Sequence, residues 1–297
     1  MSVLNALTFD VEDYFHVTGF ADRIAPAHWD FYELRVERST DTILALLDVA
    51  DTRATFFILG WVARRCPGLV RRIAAAGHEI ASHGYWHQLV TTQTPAEFRA
   101  DVRAAKAVLE DVIGEPVAAY RAPSFSIAPD RAWAFEVLLE EGYTVDSSVA
   151  AGRRTSCGHL SMDGLPFQIM THAGPLAEYP LPTVRWLGRS VPVGGGGYFR
   201  LFPYAVTRRA LRGLNAAGRP FAVYLHPWEF DPGQPRLRMP RATAFRHSVN
   251  LHRTGPRLER LLRDFRFDTL TVSLEQHQQQ SPPAAAGGHP VKQLQAA

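Results

Sequence analysis

From Leu4 to about Gly142 short β-type apolar runs alternate with longer runs of helical period, which predicts a parallel α/β architecture. Leu4 to Phe9 reads as the first strand. Thr40 is placed to cap a helix with apolar Ile43, Leu46, Leu47 and Ala50 on one side. The run Ala54 to Leu59 is apolar enough for a strand covered on both faces. A helix from about Val62 to Ala76 stops at Gly77, and His78 to Ala81 forms a third strand. Thr94-Pro95-Ala96-Glu97 is a capping box with proline at the first helical position, and Phe98, Val102, Ala105, Leu109 and Val112 then share one helical face. Two further units follow: a strand over Val117 to Tyr120 with a helix near Asp130 to Glu141, then a strand over Tyr143 to Val145.

Between about Ala150 and Pro203 the period fails and Gly, Pro and aromatic residues dominate, which predicts an irregular insertion or hairpin region. The run Gly194 to Gly197 lacks the Lys-Ser/Thr of a phosphate-binding loop, so it reads as a flexible or close-packed turn. A helix over Ala205 to Ala217, a strand over Phe221 to Leu225, and the runs Pro256 to Phe265 and Thr269 to Leu274 complete the rhythm. From His277 the chain turns to Gln, Pro, Ala and Gly. The organisation expected is one domain over residues 1–276, with the insertion near 150–203, and a disordered tail over 277–297.

Composition narrows the class of partner. Hydrophobic residues at 46% and charged residues at 21% suit a globular protein with a sizeable core. A net charge of +3, and no basic run interleaved with aromatics, argue against a nucleic-acid partner. Cys66 and Cys157 match no zinc spacing and are too few for a disulfide scaffold. No basic, apolar leader opens the sequence and no apolar segment reaches membrane-spanning length, so a cytoplasmic protein with no membrane span is expected.

Active sites of parallel α/β folds lie at the C-terminal ends of strands, and five such ends carry chemistry. Asp10-Val11-Glu12-Asp13 packs three carboxylates after the first strand, enough for a metal ligand and a general base. In Ser82-His83-Gly84-Tyr85-Trp86-His87 two histidines four apart would share one helical face and converge on a metal ion. Arg121, in Tyr120-Arg121-Ala122-Pro123-Ser124, can orient a carboxylate through a bidentate bond. Asp146-Ser147-Ser148 ends another strand. In Tyr224-Leu225-His226-Pro227-Trp228-Glu229 a histidine stands beside a tryptophan, where a general acid would have reach.

In this order the five motifs resemble the polysaccharide deacetylases, also called NodB-homology or family-four carbohydrate esterases, over about residues 4 to 230. Gly194 to Pro203, Leu225 to Pro232 and the arginine-rich segment through Phe265 resemble a subgroup found with exosortase and exopolysaccharide loci. The resemblance implies a distorted (β/α) barrel of about seven strands and a metal-dependent hydrolase that removes N-acetyl groups from an oligo- or polysaccharide. It implies Asp10 as base, Arg121 as its orienting partner, His226 as general acid, and His83 and His87 as metal ligands. The family has adjacent aspartates where this chain has Asp10-Val11, so the third ligand is Glu12 or Asp13, with Glu12 favoured. The metal implied is zinc, with cobalt, manganese or iron fitting the same ligands. Trp86, Tyr198 and Trp228 are candidate stacking surfaces for sugar. Rival readings are hydrolysis of a small cyclic amide or imide in the same superfamily, and a silent sugar-binding member. A silent protein would have lost the base or a ligand, and here all five motifs are filled.

Overall fold

A computed structural model describes residues 3–149, 164–186, 189–237 and 240–280. The strands are β1 (Leu4–Val11), β2 (Thr55–Ile58), β3 (Glu79–Ser82), β4 (Ala119–Tyr120), β5 (Val145–Asp146), β6 (Phe167–Thr171), β7 (Gly174–Glu178), β8 (Thr183–Trp186), β9 (Arg189–Pro192), β10 (Ala222–Leu225) and β11 (Arg266–Asp268). The helices are α1 (Val36–Val49), α2 (Gly60–Arg65), α3 (Pro67–Ala75), α4 (Pro95–Ile113), α5 (Trp133–Glu140), α6 (Gly196–Leu201), α7 (Tyr204–Ala216), α8 (Arg241–Ser248), α9 (Thr254–Asp264) and α10 (Leu270–Gln280). Among the described residues no helix is long and apolar enough to cross a membrane.

Seven strands run parallel in the order β10-β1-β2-β3-β4-β5-β7, with β6 antiparallel at the edge and β11 beside β1. This is an α/β fold with a mostly parallel, barrel-like sheet. Between the chain leaving β7 and β10 the wall is closed by residues 193–195. Val193 N donates to Pro182 O at 3.2 Å, and Tyr224 N donates to Gly194 O at 2.8 Å. That closeness explains the glycine run: a Cβ on Gly195 would fall 1.9 Å from the Tyr224 carbonyl oxygen.

Strand alternation decides which side chains face the barrel axis. Ala6, Ala81, Ala119, Val145, Ala177 and Ala222 form a narrow inner cluster with Phe57, closed below by Leu270 and Leu274 of α10. Two residues further along, the same inward face carries Thr8 and Asp10, His83, Arg121, Ser147, and Tyr224 with His226. The outward residues Leu7, Phe9, Phe56, Ile58, Val223 and Leu225 join the larger core under the helices. Small side chains at the barrel floor leave room for polar ones at its mouth.

Several elements differ from the sequence expectation, each for a local reason. The 62–76 helix is two helices broken at Pro67. α1 starts at Val36, before Thr40, whose hydroxyl instead donates to Val36 O. The stretch read as an irregular insertion or hairpin region holds the antiparallel pairs β6–β7 and β8–β9, in keeping with the hairpin alternative, but β7 also extends the central sheet beside β5. Thr269 to Leu274 lies in or beside α10, which continues through Gln280, so the first residues assigned to the tail are helical. Residues 281–297 and Cys157 lie outside the described residues.

Candidate active site

Asp10 leaves β1 buried at the barrel mouth, and the Arg121 guanidinium donates to its Oδ1 at 2.7 Å. Arg121 is fully buried and uses four of its five N–H donors: Nη1 also donates to Thr8 Oγ1, Nε to Ser147 O, and Nη2 to Ser147 Oγ. A guanidinium held on three sides fixes its carboxylate, and removing either partner of such a pair strands a buried charge.

Glu12, His83 and His87 converge beside Asp10, one ligand atom from each lying within 4.8 Å of the others. The two histidines do not share a helix. Their loop turns at Gly84 (φ 73°) and at His87 itself (φ 52°). Asp101 of α4 pins it by accepting from Tyr85 N at 2.8 Å and Trp86 N at 3.1 Å. His83 Nδ1 is 2.8 Å from Arg121 O, which leaves Nε2 as its lone-pair nitrogen. Burial pushes His83 down to about 4, even though Asp10 and Glu12 pull the other way. Glu12 is buried, which raises its pKa, but the nearby imidazoles of His87, His226 and His83 hold it well below the usual carboxylate range. Its Oε2 sits 2.8 Å from His87 Nε2 yet lacks hydrogen-bonding geometry to any donor among the described residues. An orphaned carboxylate oxygen facing two imidazoles is a donor set that could hold a divalent cation with coordination positions left open.

Asp13 is placed elsewhere. Its Oδ1 accepts from Tyr14 N, and its Oδ2 from Arg35 N and Val36 N, so it takes the capping role at α1 expected of Thr40. With three backbone amides on it, Asp13 is removed from the ligand set.

His226 closes the opposite side. Its Nε2 lies 3.9 Å from Asp10 Oδ2 and 3.6 Å from Glu12 Oε1, and its Nδ1 lies 2.7 Å from Glu229 Oε1. Glu229 is fully buried, and the buried Arg200 of α6 donates to its other oxygen at 2.6 Å. Arg200 is fixed in turn by the carbonyls of Arg246, His247 and Val249. Burial alone would lower the His226 pKa. The hydrogen bond to Glu229, with the charges of Glu12, Glu229 and Asp10, outweighs burial and raises it to about 9. His226 therefore keeps a proton where His83 cannot.

Of the three aromatic candidates, Trp86 and Tyr198 are 39% and 41% exposed. Trp228 is not a stacking surface. It is buried, its faces are covered by His226 and His247 (centroids 5.2 and 4.4 Å away), and its Nε1 donates to Glu12 Oε1 at 3.2 Å. Sequence reasoning missed Asp101, Arg200 and Glu229. Glu229 stands three residues after His226, and its spacing was the available signal. Arg200 and Asp101 carry no local mark.

Residues 6–141 match the family Polysaccharide deacetylase, and residues 147–275 match a domain of unknown function, DUF3473. A peptidoglycan-N-acetylglucosamine deacetylase of Bacillus cereus is 33% identical over 98 residues, covering 33% of this chain and 36% of that protein. The matched segments span between 35% and 43% of the length of such curated relatives. A Mycobacterium smegmatis protein assigned as a polysaccharide deacetylase shares the fold with TM-score 0.65 and 22% identity, covering 97% of this chain and 94% of its own. PuuE allantoinase shares it with TM-score 0.61 and 16% identity, covering 95% and 92%. The match to the polysaccharide deacetylase family thus spans residues 6–141, the part of the chain that carries Asp10, Glu12, His83, His87 and Arg121.

Proposed function

We propose that the protein is a metal-dependent N-deacetylase that acts on acetamido sugars of a polysaccharide or its precursor, within exopolysaccharide biosynthesis. The observation that carries this reading is the Glu12, His83 and His87 cluster set between an arginine-held carboxylate, Asp10, and a proton-bearing imidazole, His226. The exopolysaccharide setting draws on the resemblance of Gly194 to Pro203 and Leu225 to Pro232 to the enzymes of such loci.

A divalent ion held by Glu12, His83 and His87 would polarise the amide carbonyl and acidify water, with zinc the first choice for two imidazoles and one carboxylate. Asp10, oriented by Arg121, accepts the proton of the attacking water. His226 donates its proton to the departing amine nitrogen, and Glu229 stabilises the charge it carries beforehand. Trp86 and Tyr198 offer exposed ring faces to neighbouring sugars.

The test pairs metal analysis of the purified protein with acetate release from N-acetylated oligosaccharides. Bound metal and released acetate are expected, both lost in His83→Ala. Full metal content and turnover in His83→Ala, or hydrolysis of small cyclic amides with no acetate from any glycan, would overturn the assignment.

A further inference from the structure

Behind the barrel wall, where β5 and β7 pair, Asp146 stands directly opposite Glu178. Alternation turns both side chains outward, away from Ser147, and both are completely buried. Asp146 Oδ2 accepts from Ser148 N at 3.0 Å and its Oδ1 from Ser148 Oγ at 2.7 Å. Glu178 Oε1 accepts from Val149 N at 3.0 Å, and its Oε2 has no donor among the described residues. The two carboxyl groups thus hold Ser148 and Val149, the second and third residues of the turn Ser147-Ser148-Val149. Ser147 presents its carbonyl and hydroxyl to Arg121, and Ser148 Oγ accepts from Ala122 N at 2.8 Å.

We propose that Glu178 is a positioning residue for the reaction at Asp10: joined to Asp146 by one shared proton, it locks the turn that holds Arg121. An ionised carboxylate only accepts hydrogen bonds, so two of them side by side in a dry interior bond only if one keeps a proton. Burial, then the charge of Asp146 and the hydrogen bond between the two acids, raises Glu178 well above its ordinary value, and burial raises Asp146. Among the described residues no hydrogen-bond donor reaches Glu178 Oε2, the place the proposed shared proton would fill. The catalytic part of this inference rests on the deacetylase reading above, whereas the shared proton does not.

Kinetics of Glu178→Ala and Glu178→Gln test the role. Glu178→Ala is expected to lower kcat ~10-fold or more, as misplacement of a reacting group does, with KM within about two-fold and metal content unchanged. Glu178→Gln, whose amide can replace the protonated carboxyl, should recover most of that loss. A kcat for Glu178→Ala within about two-fold of wild type, or a folded, metal-loaded Glu178→Gln as poor as the alanine variant, would overturn the proposal.

Thermal unfolding gives a second readout that needs no activity. In the native protein Glu178 holds its proton above the ordinary glutamate pKa of about 4.3, where the unfolded chain has lost it, so wild-type stability falls as pH rises. Glu178→Gln has no such proton. Its Tm advantage over wild type should therefore widen from about pH 5 to 8. A flat or shrinking gap would show an ionised Glu178 and overturn the shared proton, even if Glu178→Ala fails to fold. If wild type releases no acetate while the gap widens, the deacetylase reading fails and the carboxyl pair stands.

Discussion

The two sides of the site use the same residue type for opposite ends. On the side built by β1, β3 and β4, His83 is buried against a backbone carbonyl and pushed down to about 4. On the side built by β10 and α6, His226 is also enclosed, but it meets a buried carboxylate backed by Arg200 and is raised to about 9. Burial acts in the same direction on both rings. The partner of Nδ1 decides the outcome: a neutral oxygen leaves a ring fit to ligate a cation, and a charged one leaves a ring loaded with a proton. On the proposed reading one side accepts a proton and the other donates one, the division that hydrolysis of an amide requires.

The largest effects should come from the accepting side, and metal content separates its two parts. Asp10→Asn is expected to lower kcat by ~10² to 10⁴, the range of a lost general base, while metal stays bound. Some stability should go with it, because Arg121 is left buried beside a neutral amide. Glu12→Ala should lose activity as fully but lose metal with it, whereas Asp13→Ala should keep metal and lower Tm by unpairing the amides at the start of α1. Metal retained in Glu12→Ala and lost in Asp13→Ala would reverse the ligand assignment.

The donating side predicts a smaller effect that depends on pH. Glu229→Gln keeps an oxygen near His226 Nδ1 but removes the charge, so burial prevails and the His226 pKa falls. The alkaline limb of kcat/KM, expected near pH 9 from the ring's raised value, should move to lower pH by about one unit or more. Below the shifted limb, variant and wild type should converge. An alkaline limb that does not move in Glu229→Gln would take the donor role away from His226.

The two sides also differ in how far the amino-acid sequence reveals them. The accepting side is written in short contiguous motifs at strand ends, so Asp10, Glu12, His83, His87 and Arg121 could be picked out as candidates and are brought together. What alternation and spacing could not supply was direction. Asp13 is one residue from Glu12, but the chain turns between them, and only the position of α1 shows that Asp13 faces backbone amides. The histidine pair suggested a helix because four-residue spacing suits one, yet Gly84 and the positive φ of His87 produce the same convergence from a loop. The donating side depends on contacts distant in sequence. Arg200 reaches Glu229 across 29 residues, and Glu178 pairs with Asp146 across a stretch where β-type periodicity is faint. Trp228 was misjudged because a tryptophan beside a catalytic histidine fits a sugar platform and a packing element equally well before its faces are known.

The smallest effects belong to the exposed aromatics, one from each side: Trp86 lies in the loop between His83 and His87, and Tyr198 lies on α6 two residues before Arg200. Neither makes a hydrogen bond to the reacting groups, and each shows about two-fifths of its surface. If they stack on sugars flanking the scissile residue, replacement by alanine removes ground-state and transition-state contact alike. That raises KM and spares kcat. An aromatic contact worth about 0.5 to 1.5 kcal/mol corresponds to a ~2- to 12-fold rise in KM. The rise should appear on long oligosaccharides and vanish on a monosaccharide, which reaches neither ring. Because the rings lie on opposite sides, the two effects should add on a substrate long enough to touch both, as independent sites do. A KM increase on the monosaccharide, or a fall in kcat with KM unchanged, would mean that these rings support the catalytic loops rather than the substrate.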